Sequence, residues 1–224
     1  MDIKHQYNKV GNQYIEGQES FFSKREDWCR IAIARHLGDI GGKKILDIGC
    51  GGGVDFKIFE QKGADVFGID PSEIMVKDAK GKVKNPDNIK VGEYEEIPFP
   101  DKTFDIVFGR FSLHYLKNFD KAYQEMHRAL VPNGILLLVV SHPAFDLAYL
   151  REDEHKNNDV ITVELYNNKT RITFPPHILR DYFSPTFFKL FDLKRLDEYS
   201  EEELKKRTAN IPGALLYFAQ ARRE

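Results

Sequence analysis

A carboxylate set inside an apolar run, followed by glycines at alternate positions, carries the chemistry of this chain. Ile45-Leu46-Asp47-Ile48 runs directly into Gly49-Cys50-Gly51-Gly52-Gly53, and a second apolar run, Val66-Phe67-Gly68-Ile69, ends on Asp70. Read physically, this is a buried strand, a loop too tight for side chains, a helix, and a second strand finishing on a carboxylate. A carboxylate at that place can accept hydrogen bonds from both hydroxyls of a ribose, which points to a nucleotide-like cofactor. The loop glycines Gly49, Gly51 and Gly53 are spaced G-x-G-x-G. A dinucleotide fold uses G-x-G-x-x-G, whose third glycine seats a pyrophosphate on the helix N-terminus. Here the expected helix opens Val54-Asp55, where Asp55 would repel a pyrophosphate. Asp47, two residues before Gly49, suits a cofactor bearing positive charge instead.

The elements that must hold these residues follow from periodicity. Strands are expected at 44–48, 65–70, 88–92, 103–109 and 135–140, with helices at 54–62, 72–80 (capped by Ser72) and 118–130 between them. Strands alternating with helices argue a parallel sheet covered on both faces. Before this unit lie a polar arm to about residue 19, carrying Tyr7 and Tyr14, and an apolar helical stripe over 21–37. After Ser141 the pattern changes. Two strand-like runs flank Asn167-Asn168-Lys169 and read as a β-hairpin over 160–174; a helix with a kink at Pro185 covers 176–190. Strands at 191–199 and 214–221 enclose a short charged helix at 201–207. The division is an arm and helix (1–40), a cofactor-binding core (41–143), a hairpin-bearing insertion that acts as a lid (144–190) and C-terminal strands (191–224), all within one domain.

Composition bounds the partners. At 224 residues with 42% apolar content, the chain suffices for one sizeable α/β domain. The net charge of −2 and the scattered Lys and Arg supply no phosphate-binding footprint, so no nucleic-acid partner is expected. Cys29 and Cys50 make no disulfide framework and pair with no histidine at metal-ligand spacing, so no metal is expected. The N-terminus lacks a secretory apolar core and no stretch is long enough to span a bilayer, which predicts a cytoplasmic protein with no membrane partner.

The residues from Ile45 to Gly53, the strand end at Asp70, and the later block Gly92-Glu93-Tyr94-Glu95-Glu96-Ile97-Pro98-Phe99 resemble the class I S-adenosylmethionine-dependent methyltransferases, in the small-molecule branch that includes quinone-biosynthesis enzymes (methyltransferase type 11). The likeness continues through Pro100–Val107, Leu113-His114-Tyr115, Leu130–Gly134 and Ile211-Pro212-Gly213. It implies a Rossmann-like three-layer α/β sandwich with a seven-stranded, mostly parallel sheet whose last strand is antiparallel. It also implies S-adenosyl-L-methionine as cofactor and residue roles to match. Gly49 and Gly51, with Cys50 between them, let the backbone approach the methionine part, and Asp47 reaches its amino group. Asp70 takes the ribose hydroxyls, Pro71 and Met75 pack the adenine, and Glu93 accepts from the adenine amino group beside Tyr94. The family more often has Asp-Ala where this chain has Glu93-Tyr94. Arg110 and Phe111, after the fourth strand, line the pocket.

Methyl transfer from a sulfonium is an in-line displacement, so alignment and exclusion of water matter more than a dedicated base. Candidates for catalysis are His142, after the fifth strand, His114 in the Leu-His-Tyr run, and Tyr14, which can also hold the sulfonium by cation–π attraction. Tyr166, Phe174, His177, Tyr182 and Phe183 are candidates for shaping the acceptor pocket. The expected partner is a small-molecule methyl acceptor, with its atom type (O, N, C or S) unread. The hairpin at 160–174 can serve either as lid or as the pairing edge of a homodimer. Three rival readings remain: a non-catalytic or regulatory S-adenosylmethionine-binding protein, an NAD-dependent oxidoreductase, and a synthase using a modified form of the cofactor.

Overall fold

The computed structural model describes residues 3–22, 33, 35–116, 118–151, 160–165, 170–199 and 214–223. Tyr166, the 167–169 turn, most of the helix expected over 21–37, the charged helix at 201–207 and Ile211-Pro212-Gly213 lie outside the described residues. The chain opens with α1 (Ile3–Phe22) and continues through β1 (Lys44–Ile48), α2 (Phe56–Gln61), β2 (Asp65–Asp70), α3 (Glu73–Lys80) and β3 (Ile89–Val91). Next come β4 (Phe104–Arg110), a single 3-10 turn (Leu113–Tyr115), α4 (Phe119–Ala129), β5 (Leu130–Ser141) and α5 (Pro143–Arg151). The remainder is β6 (Ile161–Leu165), β7 (Thr170–Phe174), α6 (Leu179–Tyr182), α7 (Pro185–Leu190), β8 (Phe191–Tyr199) and β9 (Ala214–Ala221).

Seven strands form one sheet in the order β3-β2-β1-β4-β5-β9-β8. The first five run parallel, with Asp47 opposite Gly68, Ile45 opposite Ile106 and Val107 opposite Leu136. β9 enters antiparallel to β5 (Leu138 opposite Tyr217) and to β8 (Leu196 opposite Tyr217). The sheet is buried on both faces because successive side chains alternate between them. Leu46, Ile48, Val107, Leu136, Leu138 and Tyr217 build the core on one face. Ile45, Val66, Ile106, Phe108, Leu137, Val139 and Leu216 build the other. Tyr123 of α4 secures the first face, sharing a 2.9 Å hydroxyl contact with Tyr217 and donating to the Tyr182 carbonyl at 2.8 Å. β1 has β2 on one side and β4 on the other. This is the point where strand order reverses and a crevice opens beyond the carboxyl ends.

The structure departs from the periodicity reading in four places. The expected polar arm is a twenty-residue helix, α1, whose Gln6, Tyr7 and Asn8 face the rest of the protein. α2 begins at Phe56, because residues 51–55 are used up in the turn after β1. The Val131–Gly134 loop is instead a bulge inside β5. Leu130 already pairs with Phe104, and the register resumes at Ile135 opposite Ile106. The helix over 176–190 is two helices, since Ser184 accepts from the Phe187 N–H at 3.2 Å and Pro185 starts a new first turn. Ser72 caps α3 as expected, accepting from Met75 N–H at 3.4 Å. The hairpin of β6 and β7 forms antiparallel and leans on its own chain: Thr173 donates to Gln6 Oε1 at 3.1 Å, and Gln6 Nε2 donates back to the Thr173 carbonyl. Among the described residues no helix is long and apolar enough to cross a membrane.

Candidate active site

The cleft lies at the carboxyl ends of β1, β2 and β4, and α1 closes its outer side. Gly49 ends β1 at φ +66°; a Cβ there would stand 2.5 Å from Ser112 Cβ and from the Tyr94 hydroxyl, so the position admits no side chain. Gly51 is also left-handed (φ +53°), but nothing lies within 4 Å of where its Cβ would be. The first glycine lets the floor pack; the second leaves the cleft open over bare backbone. Ser112 fastens the floor by donating to the Ile48 carbonyl at 2.9 Å. Phe111, at the rim, is held at φ +51°, a strained value for a bulky residue, while its N–H donates to the Val139 carbonyl.

Charge in the cleft is lopsided. Among the described residues, Asp47, Asp55 and Asp70 line it together with one guanidinium, that of Arg110, whose Nε meets Asp55 Oδ2 at 2.9 Å. Burial pushes the Asp47 carboxyl well above its ordinary range; neighbouring Asp55 adds to the shift and Arg110 opposes it. Burial also drives Asp70 up to about 6, although it accepts backbone N–H bonds from Ser72 and Gly51, each 2.9 Å. Those two bonds aim the carboxylate and leave each oxygen a further lone pair. Three carboxylates crowded on one guanidinium in a low-dielectric site favour a ligand that brings positive charge.

Three tyrosines complete the enclosure. Tyr7 and Tyr14 of α1 meet edge to face with centroids 5.2 Å apart, and the Tyr7 hydroxyl contacts that of Tyr115 at 2.7 Å. Burial raises the pKa of both Tyr7 and Tyr115, so they stay neutral. Ser72 donates to Asn8 Oδ1 at 2.7 Å and Lys4 pairs with Glu73 at 3.1 Å, so α1 is fastened to α3 as well as to the hairpin.

Of the residues singled out from sequence, Tyr14, Asp47, Gly49, Cys50, Gly51, Asp70, Pro71, Met75, Tyr94, Arg110 and Phe111 all line this one cleft. Glu93 does not. It is exposed on the turn after β3, in an isolated bridge with Glu96, and its neighbour Tyr94 turns inward. Nor does the structure bring His142 there. Its Nδ1 accepts the Ala144 N–H at 3.1 Å at the start of α5, and its Nε2 meets Glu198 at 3.1 Å. His114 stands behind Tyr115, buried between that ring and Phe174. Gln18, Val54 and Ser112 line the cleft without having been picked out, and Asp55 and Tyr115 do so in roles other than those read for them. No signal in the sequence marks Gln18 or Val54; Ser112 and Tyr115 follow Arg110 so closely that the same strand end delivers them. Among the described residues no cluster of His, Cys, Asp or Glu could hold a metal ion.

The sequence profile described as "Methyltransferase domain" matches residues 46–138, the span that builds this cleft. A demethylmenaquinone methyltransferase of Tropheryma whipplei is 31% identical over 144 residues, covering 63% of this chain and 60% of that protein. One from Staphylococcus aureus is 29% identical over 219 residues, 95% of this chain and 76% of its own length. Residues 46–138 thus match a methyltransferase domain, and the chain is similar to S-adenosylmethionine-dependent methyltransferases. The fold agrees across wider distances. A methyltransferase structure from Listeria monocytogenes superposes with TM-score 0.68 at 23% identity, over 86% of this chain and 96% of that one. The structure titled as a complex between the Haloferax volcanii Trm112 methyltransferase activator and a methyltransferase superposes at 0.72 and 16% identity, over 100% and 99%. The chain spans about three-fifths of the length of the Tropheryma relative it matches.

Proposed function

We propose that this chain transfers the methyl group of S-adenosylmethionine to a small, planar hydroxylated acceptor. The carrying observation is the lopsided charge of the cleft: Asp47, Asp55 and Asp70 against Arg110, with Asp70 aimed by two backbone donors at the end of β2. A cofactor with a sulfonium, an ammonium and a single carboxylate fits that balance, and a dinucleotide with a pyrophosphate does not. The residues fit its shape too, since Gly51 leaves bare backbone facing open space. When bound, the cofactor supplies an electrophilic methyl group. The chain supplies the rest. Asp70 accepts the ribose hydroxyls, Asp47 faces the ammonium, Pro71 and Met75 pack the base, and Tyr7, Tyr14 and Tyr115 shut out water while presenting ring faces to a cation. The names of the Tropheryma and Staphylococcus relatives support an acceptor of the hydroquinone kind.

The test is a calorimetric titration with S-adenosylmethionine, S-adenosylhomocysteine and NAD in parallel. Micromolar binding of the first two and none of NAD is expected; binding of NAD alone would overturn the reading. Turnover of dihydroxynaphthalene with S-adenosylmethionine, followed by mass, separates an enzyme from a protein that only binds the cofactor.

A further inference from the structure

Among the described residues, three other than glycine have a positive φ: Lys102 at 49°, Phe111 at 51° and Asn133 at 63°. Asparagine visits this region readily, and Lys102 is an exposed turn residue ahead of β4. Phe111 is the outlier, because a bulky aromatic side chain in left-handed backbone costs the folded state free energy. Packing does not offset that cost. The residue is 39% exposed. Among the described residues its ring joins none of the three hydrophobic clusters and takes no part in the edge-to-face contacts of Tyr7, Tyr14 and Tyr115.

The backbone is nevertheless pinned from three directions. The Phe111 N–H donates to the Val139 carbonyl at 2.7 Å. Arg110, just before it, reaches Asp55 at 2.9 Å, and Ser112, just after it, donates to the Ile48 carbonyl at 2.9 Å. The fold thus holds a strained residue in place and leaves its large apolar side chain largely without neighbours. Such strain, over-determined by its surroundings at the wall of a cleft, marks a side chain presented to a ligand.

The strand order says which ligand. Asp70 ends β2, Phe111 follows β4, and β1 alone lies between those two strands. At about 4.8 Å per strand spacing, Phe111 stands about 10 Å across the sheet from the carboxylate that takes the ribose. The base packs on Pro71 and Met75, on the β2 side. Phe111 therefore stands past the ribose, toward the end of the cofactor that carries the methyl group, and at the solvent-facing rim.

We infer that Phe111 is a specificity-determining residue for the methyl acceptor. Its exposed ring receives the flat ring of an aromatic acceptor in an offset stack and so sets the plane in which an acceptor hydroxyl meets the methyl group. This inference rests on the methyl-transfer reading above. It assigns no proton transfer to the residue; the role is recognition.

The experiment titrates protein saturated with S-adenosylhomocysteine with dihydroxynaphthalene, under argon, and with decahydronaphthalenediol, which has the same two rings without their flatness. The wild type should prefer the flat diol by about fivefold or more, the scale of one aromatic pair. Phe111→Leu keeps the apolar bulk and the strain but loses the flat face. Its preference should fall below about twofold, with S-adenosylhomocysteine affinity unchanged. Phe111→Asn, at ease in left-handed backbone, should lose the preference as well and covers the case in which the leucine variant does not fold. A preference unchanged in the variants would overturn the inference, as would a wild type that binds neither diol or does not distinguish them. S-adenosylhomocysteine affinity that falls together with diol binding would overturn it too, and make Phe111 a wall of the cofactor site. Failure of S-adenosylhomocysteine to bind the wild type at all would instead strike the methyl-transfer reading.

Discussion

Asp70 gives the sharpest test, because its burial and its ligand role pull its proton in opposite directions. Burial pushes its carboxyl up to about 6, against the two backbone donors. Ribose hydroxyls gain from the ionised form, so cofactor binding must lower that pKa, and affinity must fall on acidification. At pH 7.5 nearly all Asp70 is ionised. At pH 5 only about one molecule in ten is, so affinity for S-adenosylhomocysteine should drop about tenfold, or about 1.4 kcal/mol. Asp70→Ala removes two charge-assisted contacts and should cost about 2–4 kcal/mol of binding at pH 7.5. It also orphans the Gly51 and Ser72 N–H groups, so the variant should melt lower. Asp70→Asn keeps the shape without the titration, and any pH slope it retains belongs to Asp47, whose pKa is likewise raised by burial. The assay is isothermal calorimetry from pH 5 to 7.5 on the three proteins. A wild-type affinity flat over that range, or an alanine variant that binds as tightly as the wild type, refutes the placement of the ribose on Asp70.

Other predictions follow from the same geometry. Gly49→Ala places a methyl 2.5 Å from Ser112 and Tyr94 and should destabilise the fold by about 3 kcal/mol, whereas Gly51→Ala meets only left-handed strain of about 1–2 kcal/mol. The second variant should melt near the wild type yet bind S-adenosylhomocysteine poorly, because its methyl projects into the cleft. Asp55 and Arg110 form a buried pair, so Arg110→Met should cost about 3–5 kcal/mol by urea denaturation, and adding Asp55→Asn should recover part of it. For His114 the folded pKa of about 3 lies below the ordinary unfolded value near ~6.5, so the unfolded chain takes up the proton first. Its contribution to stability is complete above ~6.5 and is lost as pH falls toward 3; between pH 7 and 4.5 the wild type should lose about 2.5 kcal/mol more than His114→Phe. Equal acid sensitivity of the two proteins in urea melts would contradict the buried neutral ring.

The cofactor end of the site was legible because it depends on local backbone geometry. Positive φ at Gly49 and Gly51, and a carboxylate ending an apolar strand at Asp70, each leave a mark in a short window of sequence. The buried cluster around His114 is assembled from distant pieces, and no window contains it. His114, Phe174 and His177 are brought together by the path of β7 and the turn after it. His142 follows a strand at the right edge of the crevice, yet it is consumed by Ala144 and Glu198, partners that only the fold supplies. α1 was hidden for a related reason. Gln6 and Asn8 read as solvent-facing polar residues, but they are the groups that fasten the helix. Gly11 reads as a helix breaker, yet a Cβ there would stand 2.8 Å from Ile74 of α3, so close packing requires it. Glu93 shows the converse hazard: the family frame selects its position, while the bulk of Tyr94 takes the inward place.

The double anchorage of α1 bears on the timing of the reaction. One helix joins α3, beside the cofactor cleft, through Asn8 and Lys4, and joins β7 of the hairpin through Gln6. A swing of α1 that opens the cleft at α3 would also have to break its bonds to β7, so the hairpin and the cleft would open together. Steady-state kinetics should then show compulsory order: the nucleoside enters first from the deeper side, and its demethylated form leaves last. Turnover at saturation would be paced by the rate at which these polar contacts of α1 let go, and not by the displacement at carbon.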